Sequence, residues 1–240
     1  MGGDVASIGW PGCPVSHPAE PALTARAEQT RSAIIEAALR LFRERGYDAS
    51  TMRAIASAAG VSTGNAYYYF SSKEDLIQEF YLRSHAEHAA ACRDVLDRHD
   101  EFAARLRGTV RSLIDVLDPY HAFAATFYKN AAEPSSPLSP FSKESSAARD
   151  ASIALYASVV AGSSARIDRE LRAELPELLW LYSLGVVLFW VYDMSPDRAR
   201  TYRLIDATVP LVDRLISLAR VPVLRGTTRE LVALIRELRS

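Results

Sequence analysis

Residues 50–76 read STMRAIASAAGVSTGNAYYYFSSKEDL, and local signals within them spell two short helices, a tight turn and the start of a third helix. Thr51 is placed to cap a helix over residues 52–59, its side-chain oxygen accepting from an N–H of the first turn that has no intrahelical partner. Gly60 then ends that helix. Ser62 recaps the chain two residues later, so a second helix over residues 63–69 leaves at a steep angle to the first, the geometry of a helix-turn-helix. Ser72 opens the next helix, with Asp75 three residues on in the Ser-x-x-Asp spacing of a reciprocal capping box.

Working outward, residues 31–45 place Ile34, Ile35, Ala38, Leu41 and Phe42 on one helical face, with Gly46 as the C-terminal stop. This helix is the platform on which the motif rests. The run Ile-Ala-x-x-Ala-Gly-Val-Ser (55–62), Tyr-x-Tyr-Phe (67–70) and Ser-Lys-Glu-x-Leu (72–76) follows it in register. On these residues, the stretch from about Thr30 to Phe80 resembles the DNA-binding half of a TetR-family transcriptional regulator. The remainder resembles the family only in length and helical character. The resemblance implies an all-α fold: an N-terminal three-helix helix-turn-helix module followed by a larger helical ligand-binding and dimerisation domain. Residues 1–25 read as a disordered tail, 26–72 as the DNA-binding module and 73–240 as the larger domain. It also implies a homodimer that binds a palindromic DNA operator and leaves it when a small molecule enters the larger domain.

The second helix of such a motif lies in the major groove with its N-terminal residues at base edges, which nominates Thr63, Gly64, Asn65 and Tyr68 for sequence readout. Asn65 is the sharpest candidate, since its amide can pair bidentately with adenine. A supporting role at the Ser62 cap is its alternative. The resemblance implies that Tyr67 and Tyr69 reach phosphates through their hydroxyls. Lys73, at a helix start, is expected to neutralise a phosphate, with Thr51, Arg53 and Ser62 as further backbone contacts. Phe70 reads as core, and Ala66 is too small to read a base.

Net charge gives this no help: 28 Lys and Arg stand against 29 Asp and Glu, a balance of −1. A local basic stripe and oriented helix ends can still supply the field that DNA requires. Cys13 and Cys92 lie far apart in sequence and in expected environment, so no structural disulfide is expected, which fits a reducing cytoplasm. The N-terminal residues have neither the basic start nor the apolar core of a signal peptide. The longest uncharged apolar run, residues 178–192, falls short of the roughly 20 residues needed to cross a bilayer and reads as a buried helix. No membrane association is expected.

Beyond the motif, residues 73–98 predict a long connecting helix, and 101–117 and 120–132 two more, broken at Asp118-Pro119. Three prolines and three serines in residues 133–140 exclude helix there. Helix resumes over 141–160. Pro176 suits the first turn of a helix running to Met194, apolar nearly all round and therefore central. Ser195 caps its successor, interrupted at Pro210, and a last amphipathic helix covers 228–239. No strand is expected.

In the helix from Tyr202, positions Ile205, Val209, Val212 and Ile216 follow a three-four alternation. With Gly185 permitting close approach, this face is expected to form the dimer seam, intrachain packing being the alternative. For a small apolar or aromatic effector, the expected lining is Tyr120, Phe123, Phe127, Tyr128, Trp180, Phe189 and Trp190 with His88, and Asp193 and Lys129 are candidate polar anchors. Core packing competes for each aromatic residue. His85, His88 and Cys92 share a helix face at i, i+3 and i+7, but no fourth ligand is identifiable, so neither a metal site nor a cofactor is assigned. No phosphate loop, nucleophile elbow or HExxH pair suggests an enzyme. Two alternatives stay open: a constitutive DNA-binding protein without a ligand, and a helical small-molecule-binding protein or enzyme with a vestigial DNA module.

Overall fold

In the computed structural model, which describes residues 25–219 together with Ala233 and Glu237, nine α-helices follow one another and no strand occurs among the described residues. They are α1 (Ala25–Arg45), α2 (Met52–Ala58), α3 (Thr63–Tyr69), α4 (Lys73–Arg98), α5 (Phe102–Leu117), α6 (His121–Ala131), α7 (Ser146–Ala161), α8 (Arg169–Val191) and α9 (Ala199–Leu218). Short 3-10 turns at Asp118–Tyr120 and Pro196–Arg198 carry the chain past its Pro119 and Pro196 breaks. The expected tail lies outside the described residues, except that Ala25 already belongs to α1. The expected helix at 228–239 lies almost wholly outside them as well.

Two apolar cores organise these helices. The first joins Ile34, Ile35, Ala38 and Phe42 of α1 to Ile55 and Ala56 of α2, Ala66 and Phe70 around α3, and Leu76, Ile77 and Phe80 of α4. Arg31 ties α1 to α4 with a two-pronged ion pair to Glu79, at 2.8 and 2.6 Å, while its guanidinium lies 5.3 Å from the centre of the Phe70 ring. The second core fills a bundle of α5, α7, α8 and α9, with Phe102, Leu106, Val110 and Ile114 facing Tyr156, Val159, Trp180, Trp190, Ile205 and Val209. The long α4 belongs to both, contributing Leu76 and Phe80 to the first and packing Leu96 on the second. It is the rod that the sequence suggests.

Arg105 is the polar centre of the bundle. It is buried, and its guanidinium donates to the carbonyls of Leu96 and His99 at the end of α4 and of Ser158 and Val159 at the end of α7, at 2.5–2.9 Å. Helix C-termini carry unpaired carbonyls and partial negative charge, so one cation satisfies two helix ends at once. A Cβ at Gly162 would stand 2.3 Å from an Arg105 nitrogen, which explains the glycine there.

Three expectations are corrected. First, α8 begins at Arg169, capped by Asp168, whose side chain accepts from the Glu170 N–H at 2.9 Å, and Pro176 sits inside the helix. Second, α8 is not central on all sides. Trp180, Ser183, Val186 and Trp190 are buried, whereas Leu181, Gly185, Leu188, Phe189 and Tyr192 are exposed. By length and composition this helix could cross a membrane, but its inner face is integral to the bundle. Third, the α9 alternation faces inward. Ile205, Val209 and Ile216 are buried and Val212 half-buried within one protomer, because α9 packs along α5. Tyr202 donates its hydroxyl to Asp115 of α5 at 2.5 Å. The exposed stripe of α9 is instead Leu211, Leu215 and Leu218.

Candidate nucleic-acid interface

Each helix of the motif starts on the cap the sequence predicts. Thr51 Oγ1 accepts from the Ala54 N–H at 3.2 Å, Ser62 Oγ from Asn65 at 3.1 Å and Ser72 Oγ from Asp75 at 3.2 Å. The return bond of the third cap differs from expectation: the Asp75 carboxylate accepts from the N–H and hydroxyl of Ser71, one residue before the cap. Gly60 holds φ +71°, a left-handed value that costs a side-chain-bearing residue energy, and so turns the chain from α2 into α3.

Packing then sorts the residues of α3 into two faces. Ala66 is fully buried and Phe70 nearly so, both against α1 and α2, which anchors the helix. Thr63, Gly64, Asn65, Tyr67 and Tyr68 are exposed, Tyr68 at 79%. The Asn65 backbone N–H serves the Ser62 cap, while its side-chain amide forms no hydrogen bond with the described residues. The supporting-cap alternative therefore concerns its backbone alone. Tyr69 is half-buried against the first core, its ring meeting Tyr68 edge-on at 5.1 Å. Thr51, Arg53 and Ser62 are exposed beside this face.

Lys73 is less free than its position at a helix start suggests. Its ammonium donates to the Tyr47 carbonyl at 2.9 Å and lies 4.3 Å from the centre of the Tyr47 ring. One of three donors is thereby engaged, which orients the charge without neutralising it. Tyr47 in turn donates its hydroxyl to Glu74 at 2.7 Å. Burial and that carboxylate push the Tyr47 phenol well above its ordinary range, so it stays a donor. Burial works against the charge of Glu74, but the bonds from Tyr47 and Ser72 outweigh it and hold the carboxyl below its usual value. Sequence reasoning missed Tyr47. Its position just after the Gly46 stop signals a turn and nothing about the lysine 26 residues on.

The residues expected to line an effector cavity fall in four places. Tyr120, Phe123 and Phe127 cover the first core, with Phe123 stacked 5.6 Å from Phe42, Phe127 edge-on to Tyr47 at 5.6 Å and Tyr120 edge-on to Phe80 at 4.8 Å. They are packing residues because the platform needs an apolar cover there, and α6 provides it. Trp180 and Trp190 are buried in the second core with Tyr128 packed against it, and Phe189 is exposed on α8. His88 lies inside the bundle, its Nε2 2.8 Å from the Thr109 carbonyl. Of the two polar anchors, the Asp193 carboxylate is engaged, accepting four bonds from Ser195 and Thr201 as a local cap, and Lys129 is exposed. His85 meets Ser152 at 3.3 Å, and no group of three metal-ligating residues assembles among the described residues.

On its other side α6 is bound to α8. His121 Nε2 lies 2.8 Å from the Trp190 carbonyl, the two rings meet edge-on at 4.9 Å, and the Trp190 indole donates to Asp118 at 3.3 Å. The helix is thus wedged between the platform of the motif and the second core.

Comparison with known proteins gives this geometry a setting. Residues 34–80 match the family model described as bacterial regulatory proteins, tetR family, and residues 105–234 match that of the tetracyclin repressor-like C-terminal domain. The repressor KstR2 of Mycobacterium tuberculosis H37Rv is 34% identical over 93 residues, which are 38% of this chain and 46% of the relative. The regulator UidR of Escherichia coli K12 is 35% identical over 71 residues, 30% of this chain and 36% of the relative. The matched region thus spans half or less of these curated relatives. In fold, the chain is similar to a TetR-family protein from Syntrophomonas wolfei, with a TM-score of 0.61 and 16% identity over 78% of this chain and 95% of the other. It is also similar to FadR of Thermus thermophilus, solved in complex with lauroyl-CoA, with a TM-score of 0.55 and 24% identity over 75% and 92%.

Proposed function

Because the chain belongs to the TetR family of bacterial regulatory proteins, whose C-terminal model alone matches more than half of its length, we propose that it is a sequence-specific DNA-binding transcriptional regulator and not an enzyme. It acts as a homodimeric repressor released from a palindromic operator by a small apolar effector. The observation that carries this reading is the division of α3 into a buried anchor, Ala66 and Phe70, and an exposed face of Thr63, Gly64, Asn65 and Tyr68. A short helix that exposes two tyrosines and an unbonded amide, while its cap and anchor are fully engaged, suits base-edge contact in a major groove. Asn65 reads a base. Tyr67, Tyr69, Lys73, Thr51, Arg53 and Ser62 hold phosphates and set the register.

The dimer uses the two apolar stripes left uncovered within the protomer, Leu181, Gly185 and Leu188 of α8 with Leu211, Leu215 and Leu218 of α9. Both stripes follow helical spacing, and beyond the backbone of its own helix and its chain neighbours Gly185 has no atom within 4 Å of where a Cβ would stand, which leaves room for a partner helix. The effector enters the α4–α5–α7–α8 bundle, and α6, fastened to α8 by His121 and to the platform by Phe123 and Phe127, passes the change to the DNA-binding helices.

Mobility shift on DNA flanking the protein's own gene and on a random-sequence library, with nonspecific competitor, tests the reading. Asn65→Ala is expected to relax preference at one base pair per half-site, by about 1 to 3 kcal/mol of discrimination. Lys73→Ala is expected to weaken binding to all sequences alike and to flatten the salt dependence. Failure to select any sequence from the library would sink the proposal.

A further inference from the structure

Besides Arg105, the bundle and the face of α4 packed on it hold a second set of buried polar side chains, drawn from four helices. α4 supplies His88 and Cys92, α5 Thr109, α7 Tyr156 and α8 Ser183, every one buried. His88 Nε2 faces the Thr109 carbonyl at 2.8 Å, so that nitrogen carries the ring proton and Nδ1 is the acceptor. The Cys92 thiol lies against the hydroxyls of Thr109 and Ser112. The Tyr156 hydroxyl faces Ser183, whose own proton goes to the Trp180 carbonyl at 2.7 Å. Neither Thr109 Oγ1 nor the Tyr156 hydroxyl meets the geometry of a hydrogen bond with any described neighbour, although both atoms are shut off from solvent. A hydroxyl buried in this way, with only a misaligned neighbour such as Cys92 or Ser183, has given up water for little compensation, and native proteins tolerate few such groups. Two of them in one cluster call for a ligand that completes their bonding.

Resting on the effector-controlled reading above, we infer that this cluster is the polar subsite of the effector, and that the effector is an uncharged apolar molecule with an oxygen function, an alcohol, ketone or ester, bonded by Tyr156 and Thr109. The restriction to an uncharged ligand follows from what the cluster lacks. Burial pushes the His88 imidazole down to about 4, against the opposing pull of the Thr109 carbonyl, so the ring is neutral near pH 7. Burial pushes the Cys92 thiol up to about 11, so it is neutral too. Arg105, one turn before Thr109 on α5, already directs its donors at four helix-end carbonyls. A carboxylate or an ammonium held here would be buried without a counter-charge.

The test uses the full chain and four probes of one length, 1-decanol, 2-decanone, decanoate and decylammonium, at pH 7, read by tryptophan fluorescence and thermal shift. The alcohol and the ketone are expected to bind and the two ions not to bind at the same concentrations. Tyr156→Phe and Thr109→Val are each expected to weaken the neutral probes about tenfold while leaving the Tm of the free protein unchanged or raised, since each removes an unpaired buried hydroxyl. Equal binding of decanoate, or no binding by any probe, overturns the inference. So does a Tyr156→Phe protein that loses Tm and keeps its probe affinity, because the hydroxyl would then serve the fold alone. The same preparations are assayed for DNA selection without probe. Selection without probe binding removes the subsite and leaves the regulator; probe binding without selection removes the regulator and leaves a small-molecule site.

Discussion

Around α2 and α3 the buried residues are almost all apolar, and the polar and aromatic ones, Asn65, Tyr67 and Tyr68, face outward. In the bundle the arrangement is reversed. Arg105, His88, Thr109 and Ser183 are buried, and leucines of α8 and α9 are exposed. On the proposals above, the contrast separates a unit that turns its polar and aromatic surface to DNA from one whose outer apolar stripes and inner hydroxyls are met by a second copy and an effector. It also separates two ways of holding a helix end. In the motif, a serine or threonine three residues away does it. In the bundle, an arginine reaches carbonyls on two other helices.

The severest challenge to that contrast is Arg105→Met. The substitution keeps an apolar stem of similar length and strips the Leu96, His99 and Val159 carbonyls of their donor, while Ser158 keeps only its bond from the Gly162 N–H. Unfolding in urea should show a loss of about 4 kcal/mol, since each buried carbonyl left unpaired costs a sizeable fraction of its desolvation. A loss under about 1 kcal/mol would mean that water replaces the guanidinium readily and that the bundle interior is not as sealed as its burial implies.

A smaller effect is expected on the outer stripes. Leu181→Glu with Leu215→Glu places charge on residues that are 40% and 65% exposed in the protomer. The fold should survive, while the dimer dissociation constant measured by sedimentation rises about a hundredfold, or roughly 3 kcal/mol. Ile205→Ala is the control, because that side chain is fully buried against α5. It should lower stability without shifting the monomer–dimer balance. If the two variants exchange phenotypes, the inward seam is the true interface and the protomer opens to form it.

What the sequence made legible follows the same division. The caps at Thr51, Ser62 and Ser72 join atoms three residues apart, so residue type and spacing were enough to find all of them. The stripes on α6, α8 and α9 were equally visible, but a stripe does not name its neighbour. Phe123 and Phe127 read as a lining for a ligand and are the cover of the DNA-binding platform. Ile205 and Val209 read as a seam between protomers and pack on α5. Pro176 gave a helix-start signal that the true cap, Asp168, overrode eight residues upstream, because a proline inside a helix forfeits one bond and the flanking apolar residues gain burial. Arg105 had no signal at all, since an arginine in the second turn of a helix reads as solvated and its acceptors lie up to 54 residues away.

The smallest effect expected is also the most local. Ser62→Ala removes the acceptor of the Asn65 N–H at the start of α3, a helix of only seven residues that makes no other cap bond there. The cost should be about 1 kcal/mol. Because the bond lies wholly within the motif, amide exchange should accelerate in α2 and α3 and stay unchanged across α5, α7 and α8. Affinity for DNA should fall with it, since the residues nearest the cap, Thr63 to Asn65, are those proposed to meet base edges. Acceleration spreading along α4 into the bundle would show that the rod shared by both cores transmits even a single lost cap. The two halves would then respond as one body, although they are built on opposite principles.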